Sequence, residues 1–333
     1  MSEKERDGDM TEQLKKLRLQ EADYVQTMET VVEPYLKSVC RNGMLQGTDG
    51  ANLSYYVYGE EDAHTTLVLV HGFSEFVEKY QAFIFRFLQM GFRVCALELR
   101  GHGGSDRFVQ DVSMVYVDDF REYVRDVRRF VKKVVVLYNG KKILLGHSMG
   151  GLIAALYIEK YTCDFDGAVL SSPMMQMKTR NVPFAVTRLY ADTMVRTGHG
   201  KEYVKGDGPY DGISDPDTSS CELRVRHDYI MKKRQAHKEY RTWGASYSWL
   251  SASCKAAVQA RRRSNVKRIQ IPVLFLVAGK DRMVRPEITK RFARCIPSAR
   301  YVYFENARHE IWNAGDRDRM LFFEEIDAFA RSL

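Results

Sequence analysis

The pattern that most constrains the fold of this chain is Gly-x-Ser-x-Gly, which occurs as Gly146-His147-Ser148-Met149-Gly150. It follows directly after a short apolar run, residues 143–145, and precedes an apolar, helix-favouring run that begins at Leu152. Glycines on both sides of a serine permit a sharp turn, because side chains at those positions would collide with their neighbours. The motif therefore predicts a strand, a tight turn and a helix, with Ser148 as a candidate nucleophile.

Short apolar runs alternate with longer amphipathic runs along most of the chain. Strands are predicted at residues 67–70, 93–97, 143–145, 168–170, 273–277 and 301–304, and helices at 78–90, 118–134, 152–161 and 317–333. Strands that alternate with helices pair in parallel and are covered on both faces. The predicted fold class is therefore α/β, with a doubly wound, mostly parallel sheet.

The alternation stops between about residues 173 and 267, a stretch rich in Arg, Lys and Tyr without a convincing buried strand. We interpret this stretch as a helical cap that is inserted into the core. The predicted domains are an N-terminal extension, partly helical, at 1–50, a core formed by 51–172 and 268–333, and the cap at 173–267. The first ten residues, which are polar and charged, are predicted to be disordered.

Charge and cysteine content exclude some classes of protein. The formal net charge is +8, from 51 Lys and Arg against 43 Asp and Glu, and both signs are mixed along the chain. Only this mild positive charge favours a nucleic-acid partner, and we expect none. The six cysteines are scattered without metal-type spacing, which indicates reduced thiols. No run approaches the roughly 20 apolar residues of a membrane span. By elimination we expect a cytoplasmic protein.

A serine hydroxyl is a weak nucleophile and needs a base that is held by a third group. Where the serine lies on such a strand-to-helix turn, the acid and then the histidine follow it along the chain. His309 lies between the strand predicted at 301–304 and the last helix, and Asp281 directly follows the strand predicted at 273–277. Glu305 is the alternative acid, although it occupies the same loop as the histidine. We therefore predict Ser148, Asp281 and His309 as catalytic residues.

Two backbone N–H groups are expected to bind the oxyanion that forms when the serine attacks a carbonyl. One belongs to Met149, the residue after the nucleophile. The other is expected in the loop after the strand at 67–70, where Gly72 permits a tight turn and Phe73 offers its N–H.

Several segments together resemble the lysophospholipase and monoacylglycerol lipase branch of the α/β hydrolases. They are Val70-His71-Gly72 with Glu75 and Lys79-Tyr80, Leu99-Arg100-Gly101-His102-Gly103 with Ser105, the Ser148 motif with Gly151, Ser172-Pro173-Met174 and His309-Glu310. The resemblance implies a serine hydrolase that cleaves the ester of a single-chain lipid through an acyl-enzyme, without a cofactor. It also implies that cap side chains line an acyl tunnel, for which the candidates are Trp243, Tyr247, Trp249 and Met174.

Other functions remain open from the sequence. A different carboxylesterase or a thioesterase would carry the same three residues, and a transient contact with a membrane surface is compatible with a lipid substrate. A non-catalytic α/β-hydrolase scaffold usually lacks a member of the triad, whereas here Ser148, Asp281 and His309 are all present. Haloalkane dehalogenases and epoxide hydrolases would need an aspartate at position 148. Head group, chain length and oligomeric state are not encoded in any motif that we identify.

Overall fold

A computed structural model of the protein describes residues 11–179 and 181–333. Its main sheet has eight strands in the order β1-β2-β4-β3-β6-β7-β9-β10. The strands are β1 (Cys40–Gln46), β2 (Asn52–Tyr58), β3 (Thr65–Val70), β4 (Phe92–Leu97), β5 (Met114–Val115), β6 (Lys141–His147), β7 (Gly167–Ser171), β8 (Gly244–Ala245), β9 (Val273–Ala278) and β10 (Ala299–Phe304), of which β5 and β8 form a separate pair. From β4 to β10 all neighbours are parallel, and β2 and β1 pair antiparallel at one edge.

Helices cover both faces of this sheet. They are α1 (Glu12–Lys16), α2 (Tyr24–Thr27), α3 (Glu33–Ser38), α4 (Gln81–Gln89), α5 (Phe120–Lys133), α6 (Met149–Lys160), α7 (Phe184–Arg196), α8 (Arg224–Ala236), α9 (Tyr247–Ala260), α10 (Arg263–Val266), α11 (Pro286–Ala293) and α12 (Asp316–Ser332). Along β3, Val68 and Val70 pack with α5, α6 and α9, whereas Leu67 and Leu69 pack with α4 and α12. This alternation is the period of two that a strand buried on both faces requires. The predicted α/β class is confirmed.

The N-terminal part of the chain packs against both the core and helix α8. Tyr24 contacts Tyr229 of α8 with ring centroids 5.5 Å apart, and Glu21 accepts a hydrogen bond of 2.9 Å from Arg226 of the same helix. The sheet begins at Cys40, inside the range 1–50 that we predicted to precede the core. No buried apolar run marks β1, because it is an edge strand whose side chains are mostly exposed. The prediction for residues 1–10 lies outside the described residues.

Helices α7 to α10 form most of the insertion between β7 and β9. The insertion is tied to the core in two ways, since β8 pairs with β5 and α9 packs against α5 and α6. The division into core and cap at residues 173 and 267 stays a prediction.

Candidate active site

Ser148 occupies the sharp turn between β6 and α6. Its φ and ψ are 53° and −116°, a conformation that L-residues rarely adopt. A Cβ on Gly146 would lie 2.3 Å from the Gly150 carbonyl oxygen, and a Cβ on Gly150 would lie 2.1 Å from the Val70 carbonyl oxygen. The two glycines of the motif are therefore required by close backbone packing, as the sequence predicted.

Backbone hydrogen bonds hold the Ser148 turn in place. Its N–H donates to the Ser171 carbonyl at 3.0 Å, and its own carbonyl accepts from the N–H of Met174 at 2.8 Å and of Leu152 at 3.2 Å. The serine thus precedes the first turn of α6, where the helix dipole favours negative charge.

Asp281 and His309 form a buried hydrogen-bonded pair. His309 Nδ1 lies 2.6 Å from Asp281 Oδ2, while Asp281 Oδ1 accepts from the N–H groups of Met283 at 2.8 Å and Val284 at 3.0 Å. Burial disfavours the charged ring, but the carboxylate of Asp281 outweighs it, so the pKa of His309 is raised above its ordinary value. Glu305, the alternative acid, is exposed at the end of β10.

The loop after β3 turns sharply at Phe73. Ser74 has a φ of 55°, and the N–H groups of Gly72 and Ser74 are both taken by side chains, at 2.6 and 3.3 Å. Among the described residues, neither a carbonyl nor a side chain accepts a hydrogen bond from the N–H of Phe73 or of Met149. Both N–H groups are therefore available to a ligand.

A buried ionic bridge connects this loop to the histidine loop. Lys79 Nζ lies 2.5 Å from Glu75 Oε1 and 2.7 Å from Glu310 Oε1, and all three side chains are at most 9% exposed. The second oxygen of Glu75 accepts from the Gly72 N–H, and the second oxygen of Glu310 accepts from Asn313 Nδ2 at 2.9 Å. Lys79 therefore links the residues before Phe73 to the residue after His309.

His147 lies next to this bridge and to His309, with its Nε2 3.8 Å from Glu75 Oε1. Its ring centroid is 4.7 Å from that of His309 and 4.4 Å from that of Trp312. Neither ring nitrogen has a hydrogen-bond partner in the described part of the chain, and burial lowers the pKa of His147 to about 3. The ring is thus neutral at physiological pH and adds no charge beside His309.

Ser148, His309 and Phe73 border one cavity of about 400 Å³. Its other walls come from the β3 loop, from residues 213–220 and from α8, and include Glu75, Lys79, Ile213, Ser214, Thr218, Ser219, Ser220, His227, Ile230, Met231, Arg234, Trp243, Met283 and Glu310. Trp243 is the predicted substrate contact that the structure brings to this cavity.

The other three predicted substrate contacts, Tyr247, Trp249 and Met174, are buried but do not border the cavity in the described ranges. Tyr247 and Trp249 belong to α9, which packs on the core, and Trp249 contacts Phe73 with ring centroids 4.4 Å apart. Met174 is joined to the Ser148 turn by its backbone N–H, which donates to the Ser148 carbonyl. Their role as tunnel residues stays a prediction. Sequence reasoning also missed Arg234 and the 213–220 loop, for which no motif gives a signal.

Comparison of the sequence with known proteins shows to which family the chain belongs. The model of the family described as serine aminopeptidase, S33, matches residues 61–316. A probable lysophospholipase L2 of Haemophilus influenzae is 27% identical over 290 residues, which are 86% of this chain and 90% of that protein. A monoacylglycerol lipase of Mycolicibacterium smegmatis is 34% identical over 132 residues, 38% of this chain and 44% of that protein.

Among solved structures, the monoacylglycerol lipase of Paleococcus ferrophilus aligns with a TM-score of 0.66 and 23% identity, covering 84% of this chain and 98% of its own. At that identity the likeness demonstrates the shared fold alone. Together with the family match and the geometry around Ser148, it identifies the chain as an α/β hydrolase that belongs to the serine aminopeptidase S33 family.

Proposed function

We propose that this protein is a serine carboxylic ester hydrolase whose substrate is a single-chain lipid, a lysophospholipid or a monoacylglycerol. The observation that carries the proposal is the buried hydrogen bond of 2.6 Å between Asp281 and His309, at a cavity that Ser148 also borders. The names of the relatives from Haemophilus influenzae and Mycolicibacterium smegmatis support a lipid ester as the substrate.

In the proposed mechanism, Ser148 Oγ attacks the ester carbonyl while His309 takes its proton. Asp281 holds Nδ1, which leaves Nε2 for that transfer, and stabilises the imidazolium. The N–H groups of Phe73 and Met149 bind the oxyanion. His309 then protonates the leaving alcohol. A water molecule, deprotonated by His309, releases the fatty acid from the acyl-enzyme and restores Ser148.

The test is hydrolysis of a lysophospholipid and a monoacylglycerol of equal chain length, side by side. Ser148→Ala is expected to lower kcat at least about 10³-fold on either lipid. Ser253→Ala, which removes a buried hydroxyl from α9, is the matched control and keeps wild-type rates. If the wild type cleaves only an activated short ester or a thioester, the proposed lipid substrate is wrong, whereas the proposal of a serine hydrolase stands. If it cleaves nothing, the scaffold alternative replaces the proposal.

We also propose that the cap contacts the surface of an anionic membrane. The helices of residues 11–179 and 181–333 include none that is long and apolar enough to span a bilayer. However, α7 exposes Val186, Leu189 and Tyr190 on one face, and Ile213 and Met283 are exposed at the cavity. An apolar face together with a net charge of +8 favours an anionic lipid surface.

Cosedimentation with anionic and zwitterionic vesicles tests this contact. Binding to anionic vesicles is expected to be stronger and to weaken in Leu189→Ser, with Leu321→Ser on α12 as the control for an exposed leucine elsewhere. Equal binding by both variants and the wild type would contradict the contact.

A further inference from the structure

Arg234 is a buried cation at the active-site cavity without an acidic partner. The residue is 4% exposed and borders the same cavity as Ser148. Among the described residues, its hydrogen bonds go only to carbonyls, from Nη1 to Tyr240 at 2.8 Å and Thr242 at 2.5 Å, and from Nη2 to Ser74 at 2.8 Å. No Asp or Glu side chain of the described residues pairs with it. Its charge is therefore not compensated by an ion pair.

Lys79 borders the same cavity but, unlike Arg234, has acidic partners. Two carboxylates, from Glu75 and Glu310, lie within 2.7 Å of its ammonium group. A buried cation without such partners costs several kcal/mol in solvation. For Arg234 this cost is offset in part by the three carbonyls and by the more distant charges of Glu75 and Glu310, and an anionic ligand would offset more of it. Burial lowers the pKa of Arg234 only to about 10, so its guanidinium remains charged at neutral pH.

The guanidinium also keeps unused donors. An arginine has five N–H groups, and Arg234 uses three of them. Its Nε is buried and has no partner, and Nη2 donates one of its two hydrogens to the Ser74 carbonyl. In an arginine, Nε and Nη2 form the edge that binds two oxygens of a phosphate or carboxylate side by side. The rings of Phe76 and Trp243 lie on the cation, each with its centroid 5.3 Å away, and hold the plane in place.

We propose that Arg234 binds the phosphodiester of a single-chain phospholipid and selects it over a neutral monoacylglycerol. This inference rests on the proposed function. A lysophospholipid carries one negative phosphate beside the glycerol whose ester Ser148 attacks, whereas a monoacylglycerol carries only hydroxyl groups there. The hydroxyls of Ser219 and Ser220 border the same cavity and can donate to further phosphate oxygens.

Arg226 provides the matched control on the same helix. It is also a buried arginine, 2% exposed, but it pairs with Glu21 of the N-terminal segment and does not border this cavity in the described part of the chain. Arg226→Met therefore removes a buried guanidinium from α8 without removing a cation from the active site.

The experiment compares kcat/KM for a lysophospholipid and a monoacylglycerol of equal chain length in the wild type, Arg234→Met, Arg234→Lys and Arg226→Met. In Arg234→Met the preference for the lysophospholipid is expected to fall about 10- to 100-fold, the range of a lost hydrogen bond to a charged group. In Arg234→Lys it falls at least about threefold, because lysine lacks the two-pronged edge. Arg226→Met keeps the wild-type preference.

A binding measurement separates recognition from chemistry. Ether analogues of the two lipids, which have no ester to cleave, are tested below their micellar concentrations as competitive inhibitors of the hydrolysis of an activated short ester. The ratio of the two inhibition constants is expected to change in Arg234→Met as the kcat/KM ratio does.

An equal loss of kcat/KM on both lipids in Arg234→Met would overturn the proposal. Arg234 would then have only a structural role, as a hydrogen-bond donor to the Ser74 carbonyl. An unchanged ratio in Arg234→Lys and in the inhibition constants would also overturn it. A wild type that cleaves neither lipid but retains the short-ester activity is a failure of the proposed function, and the ether analogues then still report whether Arg234 prefers the phosphate.

Discussion

The molecule has two clusters in which a buried cation pairs with several carboxylates, and the two clusters connect different parts of the fold. The Arg100 cluster consists of Arg100, Asp49, Glu122 and Asp126, and Arg100 donates from Nε at 2.6 Å and Nη2 at 2.9 Å to the two oxygens of Asp126. It joins the turn before β2 to α5. The Lys79 cluster, Lys79 with Glu75 and Glu310, joins two loops that border the active-site cavity. From this comparison we expect that the location of a cluster, and not its chemistry, determines whether its loss alters activity.

The clusters also differ in how far water can reach the acids. In the Arg100 cluster, Asp126 is fully buried, whereas the side chains of Glu122 and Asp49 are 25% and 43% exposed. In the Lys79 cluster the side chains of Glu75 and Glu310 are 7% and 5% exposed. Removal of the cation therefore leaves one buried carboxylate without an ion-pair partner in the Arg100 cluster, and two in the Lys79 cluster.

The largest effect is expected for Lys79→Met. Two carboxylates that are 7% and 5% exposed lose their cationic partner, so the free energy of unfolding should fall by about 3–5 kcal/mol. Because the bridge links the Phe73 loop to His309, kcat/KM of the remaining folded protein should fall at least about tenfold. Urea unfolding and short-ester kinetics at matched folded concentration measure both effects. Combining the change with Glu75→Gln and Glu310→Gln should restore much of the stability.

A smaller loss, confined to stability, is expected for Arg100→Met. Glu122 and Asp49 can be hydrated, so the free energy of unfolding should fall by about 3 kcal/mol, mainly because Asp126 stays buried. The kcat/KM of the folded protein should stay within about twofold of wild type, since the Arg100 cluster does not border the cavity in the described ranges. A loss of activity as large as that of Lys79→Met would break the comparison.

The pH profile sharpens the role of the Lys79 cluster. In the proposed mechanism His309 must be neutral to accept a proton, so kcat/KM is lost as pH falls through its pKa. Burial lowers that pKa, whereas the charges of Asp281, Glu310 and Glu75 raise it, and the net shift is upward. His147, which faces the His309 ring, is neutral and adds no charge. Lys79 is positively charged, opposite in sign to the three carboxylates.

Glu310→Gln removes one of the charges that raise the pKa of His309 and leaves Lys79 with a single carboxylate. Both changes disfavour the imidazolium, so the acid limb of kcat/KM for a short ester should move to lower pH. Glu305→Gln, an exposed acid close to His309 in sequence, is the control and should leave the limb in place. A limb that does not move, or that moves to higher pH, would contradict this account of the electrostatics.

Local sequence predicted the parts of the fold that depend on local chemistry. The Ser148 turn follows from two glycines whose positions the backbone dictates, and the buried run at 143–145 lies within β6. The inner face of α12 depends on packing between elements, since Met320 is 48% exposed whereas Phe322 is buried. Phe322 packs against Phe304 and Trp312, contacts between elements that helical spacing alone does not reveal.

The cavity could be predicted only in part, because its walls come from distant parts of the chain. Asp281 and His309 were found from their places after two strands, and the structure brings them into contact. Arg234 could not be found in this way, since nothing in its local sequence distinguishes it from Arg226 on the same helix. The difference lies in the neighbours that folding supplies, a carboxylate for Arg226 and only carbonyls for Arg234.

The smallest effect is expected for an ion pair outside both clusters. Arg300 of β10 and Glu325 of α12 lie 2.6 Å apart, but the Arg300 side chain is 53% exposed. Water and salt screen such a pair, and each side chain loses rotamer freedom on pairing, so Arg300→Met should change the free energy of unfolding by less than about 1 kcal/mol. The difference from wild type should vanish at 1 M salt in urea unfolding, whereas the loss in Arg100→Met should persist, because salt does not reach Asp126. A loss in Arg300→Met that equals that of Arg100→Met and resists salt would mean that burial is not what separates the clusters from surface pairs.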